Sequence, residues 1–171
     1  VTVTDNNGCE AYASFTVTQP SAIEYSIATS DVSCPDENDG KIILSNVQGG
    51  ASPWMVSLDG NSFQSSFNFE NLTGGTHQVV VRDKNGCTVE EQVVLNEPAP
   101  WNISLGNDTS IVFGDDILLV PGIFGSPVGN VQLSWLDLDC DTCSTRLVEP
   151  PVTTSYYITA VDENRCIFED F

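Results

Sequence analysis

Basic residues are what this chain has least of. Five lysines and arginines stand against 24 aspartates and glutamates, for a formal net charge of −19 over 171 residues. Nucleic acid is therefore not an expected partner, because neutralising phosphates requires clustered cations. An anionic membrane surface would repel the chain as well. Histidine occurs once, at His77, so every serine and threonine shares a single possible imidazole base, and His77 itself reads as a packed or rim residue at the start of a strand. No stretch approaches the ~20 apolar residues of a membrane helix, which excludes helical insertion. A signal peptide pattern is also missing, and Val1 falls inside a strand pattern, so we expect a window cut from a longer chain.

What the chain does have is strand-length hydrophobic runs. Hydrophobic residues make up 40% of it, spread in short alternating segments with almost no helix signal, which excludes compositional disorder. Six cysteines in such a chain point to an oxidising, extracellular compartment. The high negative charge reads first as a solvated, aggregation-resistant surface, and second as a surface screened by divalent cations.

One pentapeptide organises the whole. Asp5-Asn6-Asn7-Gly8-Cys9 returns as Asp83-Lys84-Asn85-Gly86-Cys87 and again as Asp162-Glu163-Asn164-Arg165-Cys166. Asp5 and Asp83, Cys9 and Cys87, and Pro20 and Pro98 are each 78 residues apart, which marks an internal repeat without gaps. In the first two copies Asn-Gly lies between alternating apolar runs, the signal of a two-residue type I′ hairpin turn. Arg165 stands where glycine stood, so the third copy predicts a different turn.

Read in order, residues 1–20 are the closing hairpin of a truncated preceding module, with strands at Val1–Thr4 and Ser14–Thr18. Residues 21–98 form one complete module, with strands near Ile23–Thr29, Lys41–Val47, Trp54–Asp59, Phe67–Leu72, Thr76–Asp83 and Cys87–Asn96. Six or seven short strands at this spacing predict a β-sandwich of about 80 residues. Residues 99–171 form a second sandwich, with strands at Trp101–Leu105, Ser110–Phe113, Ile117–Val120, Val131–Leu136 and Tyr156–Val161 and a last strand cut short.

Residues 32–98 resemble the SprB-type repeat of very large cell-surface adhesins of gliding bacteria. The resemblance rests on Cys34, Asp39-Gly40 with the strand Lys41 to Leu44, Gly49-Gly50, Pro53-Trp54 and Ser57 to Gly60. It continues through Phe67 to Leu72, Gly74 to Thr76, Val79 to Val81, the Asp83 to Cys87 turn and Glu97-Pro98. His77 and Trp54 stand where that family commonly has tyrosine. Residues 101–171 resemble immunoglobulin-like or PKD-like modules, through Trp135, Cys140 to Cys143, Glu149-Pro150 and Thr153 to Tyr157. These resemblances imply an all-β chain of tandem immunoglobulin-like β-sandwich modules.

Within the complete module the expected disulfide is Cys34 with Cys87, which leaves Cys9 unpaired in this window. Cys140 and Cys143, a lone C-x-x-C, read as a short structural disulfide. A zinc site would need further ligands, and a redox motif would need a βαβ context. Cys166 is left over, either free or competing for Cys140 or Cys143, since 53 residues before it the chain has Phe113. Asp36, Asn38 and Asp39, crowded before Gly40, are the calcium candidate, because hard oxygen ligands suit Ca²⁺. Their alternative is a set of turn residues that hydrogen-bond their own backbone. Asp115-Asp116 and Asp137, Asp139 and Asp141 read as solvated clusters. Trp54, Trp101, Tyr156 and Phe63 are candidates for stacking on sugars. Trp54 and Trp135 read first as core, and Trp101 as filling the junction between modules.

The expectation is a non-catalytic structural segment of a long secreted surface adhesin or filament, serving attachment, gliding or cell contact. Its expected partners are neighbouring modules of its own chain, and self-association into a filament or bundle is the second possibility. The rival reading is a carbohydrate-binding module with a surface glycan as ligand.

Overall fold

The computed structural model describes residues 1–136 and 143–171, and all regular structure among them is β-strand. A first hairpin pairs β1 (Thr2–Thr4) with β2 (Glu10–Tyr12). The second strand is thus Glu10–Tyr12, not Ser14–Thr18. Register sets the pairing: Thr2 faces Tyr12, Thr4 faces Glu10, and Ala13 N–H donates to Val1 O.

The unit that follows has two three-stranded sheets. One orders β3 (Glu24–Ser30), β4 (Gly40–Gln48) and β6 (Asn68–Leu72), and the other β5 (Met55–Leu58), β7 (Gly75–Arg82) and β8 (Thr88–Leu95). Every neighbouring pair is antiparallel. Alternation in the sequence sets which side chains go inward. In β4, Ile42 and Leu44 are buried while Lys41 and Ile43 face out, and in β7 His77, Val79 and Val81 are buried. Both sheets supply one core, in which Ile42 and Leu44 meet Val56, Leu58, Val79, Val81, Val93 and Leu95.

Residues 99–171 build smaller sheets. Here β9 (Trp101–Ser104) pairs with β11 (Gly122–Gly125), and β10 (Ile117–Leu119) with β13 (Arg146–Val148). The third sheet orders β12 (Gln132–Trp135), β14 (Ile158–Val161) and β15 (Ile167–Asp170). Ser110–Phe113 is not a strand: Val112 and Phe113 are 71% and 84% exposed, with no neighbour to pair against. Conversely β11 and β13 were not expected from their sequences. Trp135 is buried as its alternation predicts, and its indole N–H donates to Cys143 O at 2.8 Å. Trp101 does not fill the junction between units. It lies in the second core with Ile103, Ile158 and Ala160, its ring 4.4 Å from that of Phe168.

His77 ties β7 to the β5–β6 connection. Its Nδ1 lies 2.8 Å from Asp59 Oδ2 and its Nε2 3.0 Å from Thr73 O, so both ring nitrogens face acceptors and the ring fits as an imidazolium. Burial works to lower the His77 pKa. The Asp59 hydrogen bond and charge and the Thr73 carbonyl outweigh it, leaving the pKa above its ordinary value. For Asp59, burial works upward, but His77 and the Gln78 N–H hold the carboxyl below the ordinary value. A raised His77 pKa stabilises the fold fully below about pH 6.5 and loses that contribution as pH rises through the folded value. The Asp59 contribution is lost at the other end, as pH falls through its depressed value. Thermal unfolding followed between pH 5 and 9 should therefore show a midpoint that falls above about pH 6.5. His77→Gln should flatten that limb; an unchanged slope in the variant would show that His77 is not its source.

Candidate functional site

The three pentapeptide copies make the same turn. In the second copy Asp83 N–H donates to Cys87 O at 2.9 Å and Gly86 N–H to Asp83 O at 3.1 Å. The first copy repeats these bonds at 2.9 and 3.1 Å, and the third at 3.2 and 3.0 Å. Only the fourth residue has positive φ: 85° at Gly8, 89° at Gly86 and 70° at Arg165. This is a three-residue loop closed by a left-handed residue, not the type I′ turn expected, which would need Asn85 at positive φ as well. The expectation of a different third turn is corrected too. Arg165 is held in the glycine conformation by the same hydrogen bonds.

The aspartate shapes each turn from inside. Asp83 Oδ1 accepts the N–H groups of Asn85 at 2.9 Å and Cys87 at 2.8 Å. Asp5 Oδ1 does the same for Asn7 and Cys9, and Asp162 Oδ1 accepts Cys166 N–H at 3.0 Å. The second oxygen reaches across the unit. Asp83 Oδ2 accepts Ala51 N–H at 2.9 Å while Ala51 O accepts Lys84 N–H, and Asp162 Oδ2 accepts Val128 N–H at 3.3 Å while Val128 O accepts Glu163 N–H. Asp162 also takes the indole N–H of Trp101 at 3.2 Å. Burial pushes the Asp83 pKa upward, but the N–H groups of Ala51, Cys87, Asn85 and Gly86 keep it below the ordinary carboxylate range. The grip of these aspartates was not anticipated. Its signal was available, since Asp with Asn two residues on is the Asx-turn composition and recurs in all three copies.

Each complete unit therefore has a turn end and an opposite end. In residues 21–98, Cys87 precedes β8 at the turn end. The connection from β3 to β4 lies at the far end of that strand, where Val32 N–H donates to Asn96 O and Asp31 accepts the backbone and side-chain N–H groups of Asn96. Cys34 belongs to this connection. Eight strand residues at about 3.3 Å each separate the two ends by about 26 Å, far beyond the Cα separation a disulfide tolerates. The expected Cys34–Cys87 bridge is thus excluded, and Cys87 is a free, exposed thiol, as is Cys9.

Cys34 is instead bonded to Cys166, with Cα atoms 5.5 Å apart and 132 residues of separation. The turn end of the last unit thus sits on the far end of the one before it. Asn164 Nδ2 donates to Ser33 O at 3.1 Å, so the turn grips the loop by an amide as well as a disulfide. Cys166, expected to be left over, is the buried half of this staple. Cys143 is disulfide-bonded, while Cys140, its expected partner, lies outside the described residues together with Asp137, Asp139 and Asp141.

The calcium candidates serve the same loop. Asp39 Oδ1 accepts Ser33 N–H at 3.0 Å, and this bond leads the effects that lower its pKa. Asp36 has φ of 60° and its N–H donates to Glu97 Oε1. Asn38 is exposed. Among the described residues no group of three or more His, Cys, Asp or Glu side chains is arranged to hold a metal ion. The aromatics proposed for sugar stacking do not form an exposed platform. Trp101 is buried, Trp54 is half-buried with its indole N–H on Gly49 O, Tyr156 is half-buried, and Phe63 lies under the Arg82 guanidinium at 3.8 Å.

The shared turn gives a direct test of backbone cost. A non-glycine residue in the left-handed region costs about 1 kcal/mol, and open space surrounds Gly86, so only φ opposes a side chain there. Arg165→Gly should stabilise the last unit by about 1 kcal/mol and Gly86→Ala should destabilise the middle one by a similar amount in denaturant titrations. Equal stability of both variants with the parent chain would refute a shared, strained turn. Comparison of the chain with family models, with curated proteins and with solved structures finds no match.

Proposed function

We propose that the chain is a non-catalytic structural repeat segment of a long secreted cell-surface adhesin or filament, in which immunoglobulin-like β-sandwich units are stacked in tandem. The observation that carries this reading is the Cys34–Cys166 bond, a covalent link from one end of a unit to the turn end of the next. Closing a loop of this length contributes about 5 kcal/mol in the chain-entropy model, and it also fixes one unit against its neighbour. A link of that kind suits a molecule that must transmit position or tension along its length.

Three further features support the reading. The middle unit draws a single core from two three-stranded antiparallel sheets, as a sandwich does. The junction near Glu97 and Pro98 is short and engaged, Glu97 holding the backbone of Asp36, so little linker is left to hinge. The resemblance of residues 32–98 to SprB-type repeats of gliding-bacterial adhesins and the 78-residue internal period are consistent with a tandem array, and the disulfide with an oxidising, extracellular setting. His77 has both ring nitrogens engaged, which leaves it no lone pair for base catalysis.

Two measurements test the reading. Solution scattering should give a narrow distribution of lengths for the oxidised chain and a broader one for Cys34→Ser; identical distributions would remove the mechanical role of the staple. Immunogold labelling of intact, unpermeabilised cells with an antibody to residues 21–98 should decorate surface structures, and label found only after permeabilisation would overturn the assignment.

A further inference from the structure

We propose that the Asn85–Cys87 face of the middle unit is a docking site for the Ser33–Cys34 loop of another repeat of the same kind, closed by a Cys34–Cys87 disulfide between units. The basis is an internal comparison. The third turn has the same backbone hydrogen bonds as the second and the same bond from the cysteine N–H to the aspartate, and it already holds such a loop through Asn164 and Cys166. At the second turn the equivalent residues, Asn85 and Cys87, are exposed and unengaged by any such loop. The two sites of one middle unit lie at its opposite ends, so occupancy of Cys34 by the following unit leaves Cys87 open to a preceding one. A contact of this head-to-tail kind propagates along an array.

Charge and shape at the second turn fit the same occupant. The loop carrying Cys34 is acidic, with Asp31, Asp36, Glu37 and Asp39 around it. Cations are scarce in the chain, yet Arg82 and Lys84 flank Asp83, and Arg165 occupies the third turn that holds the loop, so three of the five stand at these turns. Beside the second turn an open pocket of about 440 Å³ is lined by Pro53, Met55, Arg82, Asp83, Lys84 and Asn85 with Gly86. An acidic loop arriving there would meet Arg82 and Lys84, two of the three lysines and arginines of the unit.

Forming the bond removes one proton and one electron from each thiol. The electron acceptor is a low-molecular-weight disulfide, reduced to two thiols as the Cys87 thiolate and the Cys34 thiol become one disulfide by exchange. This inference deepens the function proposed above and rests on its tandem array. Its test is independent of where the parent protein is displayed, so surface labelling and cysteine pairing can fail separately.

The experiment inserts a second copy of residues 21–98 directly before Ser21 of the full chain, folds both chains in oxidised and reduced glutathione, alkylates free thiols and maps linked peptides. In the parent chain Cys34–Cys166 should form and Cys87 should be alkylated. In the extended chain the Cys87 nearer the last unit should be protected and linked to the Cys34 of the inserted copy, while the Cys87 of the inserted copy stays alkylatable. Asn85→Ala in the nearer repeat should lower the equilibrium yield of that link about fivefold, the worth of one hydrogen bond, with Cys34–Cys166 in the same digest reporting intact folding. Alkylation of both Cys87 residues, or linkage of Cys87 to Cys9 or to the Cys34 of its own repeat, would overturn the proposal. Loss of Cys34–Cys166 from the parent chain would remove its premise.

Discussion

A carboxylate buried at the head of a hairpin turn is the constraint on which the rest of this structure hangs. Asp83 and Asp162 are 4% and 5% exposed, and an ionised group in such a place is costly unless its lone pairs are filled. Each fills them with backbone N–H groups from two directions, the turn on one side and a distant loop on the other. The turn cannot relax without leaving these carboxylate oxygens without partners. Arg165 holds a conformation that glycine would adopt freely, and its turn repeats the backbone hydrogen bonds of the other two copies, including the first, where Asp5 is exposed. Where the turn goes, the asparagine and the cysteine go with it, at a fixed place on the end of the unit.

From that placement comes polarity. Cysteines confined to one end by the turn, and to the other by the loop that Asp31 and Asp39 pin down, cannot find each other within a unit. They can meet only between units. The net charge makes this arrangement useful, because neighbouring acidic units repel each other over a Debye length of about 8–10 Å at ordinary salt. Exposed ion pairs would be a weak remedy, and Lys41–Glu70, at 3.7 Å between half-exposed side chains, lies within one unit anyway. A covalent link between units is indifferent to salt.

The middle unit was legible almost strand by strand. Its strands carry β-branched residues at alternating positions, bounded by Gly, Asp and Asn turns, so local preference and burial agree at each element. In residues 99–171 they part company. Ser110–Phe113 has the residues of a strand and no partner, because pairing is a property of two segments and not of one. Arg146–Val148 and Gly122–Gly125 have weak strand composition, yet each forms a ladder with a stronger neighbour, β10 and β9. Trp101 shows the same lesson for packing: its position beside a proline suggested a junction, whereas the acceptor for its indole N–H lay 61 residues away, at Asp162.

Of the site itself, the sequence alone determined the parts and their spacing: the repeated Asp-x-Asn-x-Cys, the 78-residue period, and the lack of a cysteine in the last unit to match Cys34. Those facts already implied that two of the three turn cysteines were surplus to Cys34. Which cysteines meet was decided only in three dimensions. A disulfide needs two Cα atoms within about 7 Å, and that distance depends on how far β8 carries the chain and on which end of the next unit comes to rest beside Ser33. The turn that first marks the repeat in the sequence is also, in the fold, the piece that holds one unit to the next.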